Sequence, residues 1–395
     1  MAAIFARFLR FGLFAFGGPV AQIAMLRHEL VDQEKWVTSD RFNRLLAVYQ
    51  VLPGPEAHEL AVHLGLVRGG RVGAFLAGLG FMLPGFLLML LLSWLYLRID
   101  IAQPGVAAAL LGAQVAVVAL VTRAVPRIGR HILVSPVAWL IAIAVALATA
   151  AGASFLVTLP AAALANVLAA RFERPAVLLL GLVALLAGVA AFATGAPALQ
   201  AGTAIAPGPV TSGPVPDAAA LFGSGLKAGL LTFGGAYTAI PFIRHDAVGS
   251  GWLTDGQFLD GLALGGVLPA PLIIFATFVG FIAGGLPGAL AMTLGIFLPA
   301  FSFALLLGDR LEALVDWRPL HRALEGVAAG VVGIITVTAI QLGAALAGRL
   351  PSLATGAVLF AACLVVLFAW RSRWATPAVV AGGAAAGWLL LGGLG

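Results

Sequence analysis

Charged residues are scarce in this sequence. Asp, Glu, Lys and Arg make up 10% of the 395 residues, whereas 62% are hydrophobic, and the mean hydropathy is +1.08. Soluble domains carry about 25% charged residues, so this composition excludes an ordinary water-soluble fold. Several apolar runs exceed the ~20 residues that a helix needs to cross a bilayer. The sequence therefore predicts an all-α polytopic membrane protein.

Cysteine is nearly absent as well. Cys363 is the single cysteine, which excludes an intrachain disulfide and a cysteine metal cluster. The net charge is +6, but with so few charges in total we expect the basic residues to face anionic lipid rather than nucleic acid. No Gly-Lys-Ser/Thr nucleotide loop occurs, which argues against ATP-driven work by this chain. We expect no cofactor and no bound metal, and we expect the first span to be retained because a cleavage signal is lacking.

The chain contains two copies of one pattern. Residues 10–18 (RFGLFAFGG) match residues 227–235 (KAGLLTFGG), and Leu52-Pro53-Gly54-Pro55 matches Leu268-Pro269-Ala270-Pro271. Further matches follow in the same order, which shared hydrophobicity alone does not produce. We predict a tandem duplication with an N-terminal repeat at 1–170 and a C-terminal repeat at 220–395. The linker, 171–219, would hold one transmembrane helix (175–194) and a Gly/Pro-rich loop.

Each repeat is predicted to contain about six helices, two of them broken. The expected spans are 5–26, 43–67, 72–97, 105–122, 132–151 and 153–170 in the first repeat, and 220–242, 257–283, 287–308, 323–347, 351–369 and 375–393 in the second. Because the extra span 175–194 reverses the entry side, the repeats would have inverted topology, and this arrangement gives the strongest positive-inside bias. Whether the broken second elements cross the membrane or re-enter is left open.

Inverted repeats are typical of transporters, whose substrate sites lie near the midplane where helices are interrupted. Helix starts at such breaks expose backbone N–H groups and a partial positive charge, and glycine lets the backbone approach an anion closely. Proline suits the first helical turn. The alternative is that these glycines only permit packing and that the prolines only kink helices. We predict substrate binding by Gly17, Gly18, Pro19, Gln22, Pro53, Gly54, Pro55, Glu56, Gly234, Gly235, Tyr237, Pro269 and Pro271.

Ionisable residues inside the predicted spans are few, and such residues are functional candidates by default. The second repeat has apolar residues where the first has its acids and histidines, which indicates that one half carries the coupling chemistry. The candidates for coupling or gating are Arg27, His28, Glu29, His58, Glu59, His63, Arg244, His245 and Asp246. Glu56 could equally cap its helix, and the Arg-His-acid clusters could equally anchor the chain at the membrane surface.

An intramembrane enzyme is disfavoured. A zinc protease needs two histidines four positions apart around a Glu, whereas His58 and His63 are five apart, about 140° round a helix. No nucleophile motif is present, so we expect no catalytic residues.

The sequence resembles the chromate transporter family in its long, two-repeat form. The resemblance rests on Phe16-Gly17-Gly18-Pro19, Trp36, Leu52-Pro53-Gly54-Pro55-Glu56-Ala57, Gly65 and Phe81-Met82-Leu83-Pro84, with echoes at Phe233-Gly234-Gly235 and Leu268-Pro269-Ala270-Pro271. It covers most of the chain outside the linker and span 175–194. Ala236, Ala270 and His58 depart from the family pattern.

This resemblance implies a multi-pass secondary transporter in the bacterial inner membrane. It would export chromate at the expense of the proton gradient and confer chromate resistance. Its partners would be chromate, sulfate as a tetrahedral dianion of similar size, protons and the lipid bilayer, with a homodimer left open. The residues alone reach only an anion transporter with inverted repeats. Transport of sulfate or another oxyanion, and a passive anion channel, therefore stay open as alternatives.

Overall fold

The computed structural model describes residues 1–171, 215–308, 317–370 and 372–392, and these ranges are helical without any strand. The predicted span 175–194 and most of the linker lie outside the described residues. The helices are α1 Ala2–Leu13, α2 Gly18–Leu26, α3 Ser39–Val51, α4 Glu56–Tyr96, α5 Pro104–Ile132, α6 Pro136–Ala150, α7 Phe155–Arg171, α8 Ala218–Leu230, α9 Ile240–Ala247, α10 Asp255–Val267, α11 Phe275–Ser302, α12 Arg318–Ala347, α13 Leu353–Ala369 and α14 Ala375–Leu391.

Several of these helices suit a bilayer. Among the described residues, four helical stretches are long and apolar enough to cross a membrane, namely Glu56–Tyr96, Pro104–Ile132, Leu272–Leu307 and Arg318–Ala347. The prediction of an all-α polytopic membrane protein is thereby confirmed.

Two glycine pairs interrupt the long helices α4 and α11 at equivalent positions. Gly69 has φ −143° and ψ 23°, and Gly70 has φ 60° and ψ −157°. Gly284 and Gly285 repeat this conformation, with φ −146° and ψ 23° followed by φ 61° and ψ −154°. Because the second residue of each pair has a positive φ, glycine is strongly favoured there. The matching backbone angles support the tandem duplication.

The chain doubles back at each of these glycine pairs. Gly65, before the first pair, packs on Gly73 after it, and Gly280 likewise packs on Gly288. Both α4 and α11 therefore consist of two antiparallel arms. The arms of α4 are residues 56–68 and 71–96.

The first element of each repeat is also a hairpin. Arg7 in α1 forms an ion pair with Glu29, beyond α2, at 3.0 Å, so α2 returns the chain toward the start of α1. In the second repeat Lys227 pairs with Asp246 at 2.6 Å in the same way. The predicted span 5–26 is therefore not one interrupted traverse, because the chain reverses direction at its glycine pair.

The second element of the first repeat returns to the same end of the molecule. Tyr49 in α3 contacts His63 in the first arm of α4, and Arg41 at the start of α3 shares a cavity with Arg71. Helix α3 and the first arm of α4 therefore run antiparallel, as the two segments of a re-entrant hairpin would. We call the end of the molecule that holds Arg41, Arg71 and the start of α1 the N-terminal face.

Helix α5 extends ten residues beyond its predicted end at residue 122. The stretch that we expected to be a loop, with Arg123, Arg127 and Arg130, continues the helix. Arginine favours helical conformation almost as well as alanine, and the long apolar helix propagates through it. These arginines are consequently carried on a rigid element.

The fourth predicted helices of the two repeats, observed as α5 and α12, run in opposite directions. Helix α5 packs on α12, with Val118 beside Gly343 and Gly129 beside Val332. As the numbering rises along α5 it falls along α12, so the two helices are antiparallel. Inverted repeats would give this orientation for the pair; the inverted topology of the two repeats stays a prediction.

Local sequence explains where the second hairpins begin. Thr38 accepts a hydrogen bond from the Arg41 backbone, and Thr254 forms a capping box with Gln257. Threonine oxygen satisfies N–H groups that the first turn leaves unpaired. The duplicated Trp-x-Thr pattern therefore marks the N-caps of α3 and α10.

Candidate substrate and coupling site

Two glycine pairs form the turns between the arms of the first hairpins. Gly17 and Gly18 have φ values of 95° and 75°, and Gly234 and Gly235 have 72° and 116°. L-amino acids with side chains rarely adopt these angles. Pro19 then lies in the first turn of α2, where its missing N–H costs nothing. The local chemistry that predicted these breaks is therefore the chemistry that forms them.

The breaks of the two halves meet. The backbone N–H of Gly54 donates a hydrogen bond of 2.8 Å to the carbonyl of Thr232, just before the second glycine pair. A β-carbon on Gly235 would lie 3.9 Å from Cγ of Pro19. Three of the four predicted breaks thus come together where the halves join.

The fourth break also contacts the other half. Pro269 and Pro271 flank Ala270, which is buried and packs on Gly85 in the second arm of α4. Gln22 is buried beside the first glycine turn, where its side-chain amide donates to the Ala15 carbonyl at 2.8 Å. This hydrogen bond stabilises the turn. The Oε1 atom of Gln22 has no partner among the described residues.

The first arm of α4 carries two adjacent polar residues in a fully buried position. His58 and Glu59 both have 0% exposure, and all four of their side-chain polar atoms lack a partner within the described part of the chain. A β-carbon on Gly54 would lie 2.7 Å from Cδ of Glu59, so this carboxylate lies directly against the break. Buried polar atoms without partners are costly. Such atoms indicate that a ligand, a proton or water acts there.

The imidazole of His58 is enclosed by aromatic rings from both halves. Its centroid lies 4.9 Å from that of Phe297 and 5.0 Å from that of Phe301, both in α11. Phe81, in the second arm of α4, is 6.1 Å away. His58 therefore lies at the contact between the repeats, with neither ring nitrogen hydrogen bonded within the described residues.

A basic face of α5 lies near the break. Glu56, the first residue of α4, is buried and is close enough to Arg127 to interact electrostatically. Tyr237, which follows the second glycine pair, interacts in the same way with Arg127 and Arg123. The two arginines are four positions apart on one face of α5. Neither forms a hydrogen bond or ion pair with a residue that the structure describes.

The predicted Arg-His-acid clusters lie away from the breaks, at the ends of the hairpins. Arg27 donates to Asn43 and Ser39, and His28 bonds Gln33. Arg244 is held by Asp255 and Gln341. These contacts tie the hairpin ends to neighbouring helices, as anchoring would; a role in gating stays a prediction. His245 is largely exposed, 3.3 Å from Asp246.

A buried polar network was missed by the sequence reasoning. Asp260 in α10 accepts hydrogen bonds from Tyr96 at 2.9 Å and from Gln114 at 2.6 Å. Arg349 in turn donates to Gln114 at 2.8 Å. The network joins both repeats at the end opposite the N-terminal face. Asp260 as a lone acid in an apolar stretch was the only signal in the sequence.

Comparison with known proteins places the chain in a family. A family model described as "Chromate transporter" matches residues 2–206 and 219–388. The chain is 58% identical over 389 residues to the chromate transport protein of Pseudomonas aeruginosa, covering 98% of this chain and 92% of that protein. It is 30% identical over 400 residues to the chromate transport protein of Cupriavidus metallidurans, covering 96% and 90%.

A more distant relative is an uncharacterized transporter of Methanocaldococcus jannaschii, 27% identical over 358 residues that cover 86% of this chain and 83% of that protein. No solved structure matches the chain. The family model spans both halves, and the named relatives are transport proteins. The chain therefore belongs to the chromate transporter family and is a multi-pass protein of the cytoplasmic membrane.

Proposed function

We propose that this chain is a secondary active transporter that exports chromate in exchange for protons, and thereby confers chromate resistance. The named bacterial relatives support the substrate. The observation that carries the mechanism is the hydrogen bond from Gly54 to Thr232. It brings the break of one half, with its buried carboxylate, to the glycine turn of the other half.

In this proposal the substrate binds between the two glycine turns. Chromate is a tetrahedral dianion, and backbone N–H groups at helix starts suit such an anion. A β-carbon on Gly18 would meet no atom within 4 Å, which leaves room beside the turn. The full predicted set is kept as the proposed binding site.

We add Arg127 and Arg123 to that set. An arginine presents a planar fork of donors that matches an oxyanion, and neither side chain is occupied by a described acceptor. Because Arg127 interacts electrostatically with Glu56, a bound dianion and this carboxylate would compete for the same positive charge. Competition of this kind links substrate binding to the protonation of Glu56.

The distribution of basic residues supports an orientation of the chain in the membrane, although it does not bear on the direction of transport. The contacts described above place several Arg residues at the N-terminal face, which the positive-inside rule makes cytoplasmic. On that side are Arg7, Arg27, Arg41, Arg68 and Arg71. The other side holds Arg98, Lys227, Arg244 and Arg349.

Flux measurements in proteoliposomes test the proposal. Radiolabelled chromate and sulfate are followed with an imposed pH gradient of either sign. We expect chromate to move in the direction opposite to the proton flow. The direction of chromate flux should reverse when the pH gradient is reversed. Equal flux of sulfate would make the chain a general oxyanion transporter, and flux that ignores the pH gradient would indicate a passive channel.

A pair of variants tests the added arginines. We expect Arg127→Gln to raise the chromate concentration for half-maximal flux at least tenfold, since a charge-assisted hydrogen bond contributes about 1.5–3 kcal/mol. Arg130→Gln removes the same charge from the next turn of α5 and serves as the control. Equal behaviour of the two variants would remove Arg127 from the site.

A further inference from the structure

A tyrosine–histidine pair lies between α3 and the first arm of α4. Tyr49 in α3 has 0% exposure and His63 in α4 has 1%. The Tyr49 hydroxyl lies 2.9 Å from Nδ1 of His63, and the rings meet edge to face at 5.7 Å. Both groups can accept and release a proton, because a hydroxyl and an imidazole each combine donor and acceptor.

One end of this pair reaches a polar cavity at the N-terminal face. His63 lines a cavity of about 440 Å³, which is large enough for several waters. The cavity is bounded by Arg41 at the start of α3, Arg71 after the glycine turn of α4, and residues 304–308 after α11. Protons from the adjoining solution can therefore reach His63 through water in this space.

The other end of the pair reaches the break. Glu59 lies four positions before His63, on the same face of the first arm of α4. The carboxylate interacts electrostatically with the Tyr49 hydroxyl, although the two groups do not form a direct hydrogen bond. Both carboxylate oxygens lack a partner within the described residues and lie against Gly54.

We propose that His63 and Tyr49 conduct protons between the cavity and Glu59. This inference rests on the proton coupling proposed above. A water in the cavity gives a proton to one ring nitrogen of His63, and the proton on Nδ1 passes to the Tyr49 oxygen. The Tyr49 hydroxyl proton moves through one intervening water to Glu59. The carboxylate becomes a neutral acid, His63 is again neutral, and the cavity water has become hydroxide.

The surrounding charges fit a route for protons. Arg41 and Arg71 line the cavity, and their positive charge would stabilise the hydroxide that the cavity water becomes. Glu56, on the same helix, interacts electrostatically with Glu59. From α11 the rings of Phe297 and Phe301 pack against His58. Neither ring nitrogen of His58 has a hydrogen-bond partner among the described residues, so the route does not include it.

Removing a single hydroxyl tests the route. Tyr49→Phe keeps the ring and deletes the hydroxyl that lies 2.9 Å from Nδ1 of His63 and that would pass the proton on toward Glu59. Proteoliposomes with an internal pH dye report proton movement, and labelled chromate reports substrate movement. We expect flux driven by the pH gradient to fall at least tenfold in Tyr49→Phe, because a positioned acid–base group contributes about 10²–10⁴-fold to proton transfer. Exchange of chromate for chromate at equal pH should change less than twofold.

The control is Tyr96→Phe, which also deletes a buried tyrosine hydroxyl with a 2.9 Å hydrogen bond but lies at the opposite end of α4. It should retain gradient-driven flux. If the wild-type protein itself ignores the pH gradient, the proposed coupling fails. If the wild type responds and Tyr49→Phe responds equally, the coupling stands and the route is wrong.

His63→Gln provides a second, independent measurement. Glutamine can hydrogen bond to Tyr49 but cannot carry a proton, so gradient-driven flux should fall while exchange at equal pH persists. This variant decides the question if Tyr49→Phe does not reconstitute. Full gradient-driven flux in His63→Gln would overturn the proposal.

Discussion

Replacing Gly54 with alanine tests how closely the break packs against the buried carboxylate. Gly54 has a φ of 152°, and a new β-carbon would lie 2.7 Å from Cδ of Glu59. Two costs are expected. Backbone strain contributes about 1–2 kcal/mol, and displacement of the carboxylate contributes about 1–3 kcal/mol, as overpacking does elsewhere.

Two other glycines separate these costs. Gly18 and Gly70 have φ values of 75° and 60°, and a β-carbon on either would meet no atom within 4 Å. Their alanine variants therefore report backbone strain alone. Gly70 lies in the turn of α4, away from the proposed binding site, so Gly70→Ala should lower stability without a comparable loss of transport.

A double-mutant cycle isolates the contact with Glu59. The apparent unfolding temperature is measured in detergent for Gly54→Ala, Glu59→Ala and the double variant. We expect Gly54→Ala to be the most destabilising of the three glycine variants. Adding Glu59→Ala to it should restore the stability that Gly54→Ala loses beyond backbone strain. The interaction between neighbours should exceed 0.5 kcal/mol. Additive effects, or a Gly54→Ala variant as stable as Gly70→Ala, would refute the packing argument.

Two further substitutions test the scaffold by thermal unfolding in the same detergent. Gln114→Leu leaves Asp260 and Arg349 without their shared partner and should cost about 1–3 kcal/mol; unchanged stability would show that water replaces the amide. Gly383→Val places a side chain against the α5 backbone and should destabilise the protein, whereas Gly382→Val, where a β-carbon meets nothing within 4 Å, should be tolerated. Equal effects would contradict close packing of α5 on α14.

The breaks could be predicted because they depend on local chemistry. A Gly-Gly pair permits positive φ and proline favours a helix start, so residues 16–19 and 52–55 indicate interruptions without knowledge of the fold. Because the duplicated motifs recur in the same order in both halves, the sequence also predicted that one half is a copy of the other. The reversal of direction at Gly17 and Gly18 was missed, because an interrupted helix and a hairpin have the same apolar composition.

Some residues near the site could not be predicted, because residues far apart in the sequence come together only in the fold. Arg123 and Arg127 were assigned to a loop because a cluster of arginines commonly ends a span. The structure continues α5 through them and brings Arg127 near Glu56. Asp260 and Tyr96 are separated by 164 residues, and no periodicity predicts such a pair.

The two halves share a backbone but not its chemistry. The first arm of α4 carries Glu59, whereas the equivalent position in α11 is Phe275, which is buried and packs edge to face on Phe258. An aromatic ring cannot bind a proton, so only one half of each chain offers a buried carboxylate at its break. If Glu59 couples transport, the coupling chemistry lies in one half of each chain rather than in both. The symmetric backbone would then supply the two alternating arrangements, and the asymmetric side chains would determine which ion accompanies the substrate.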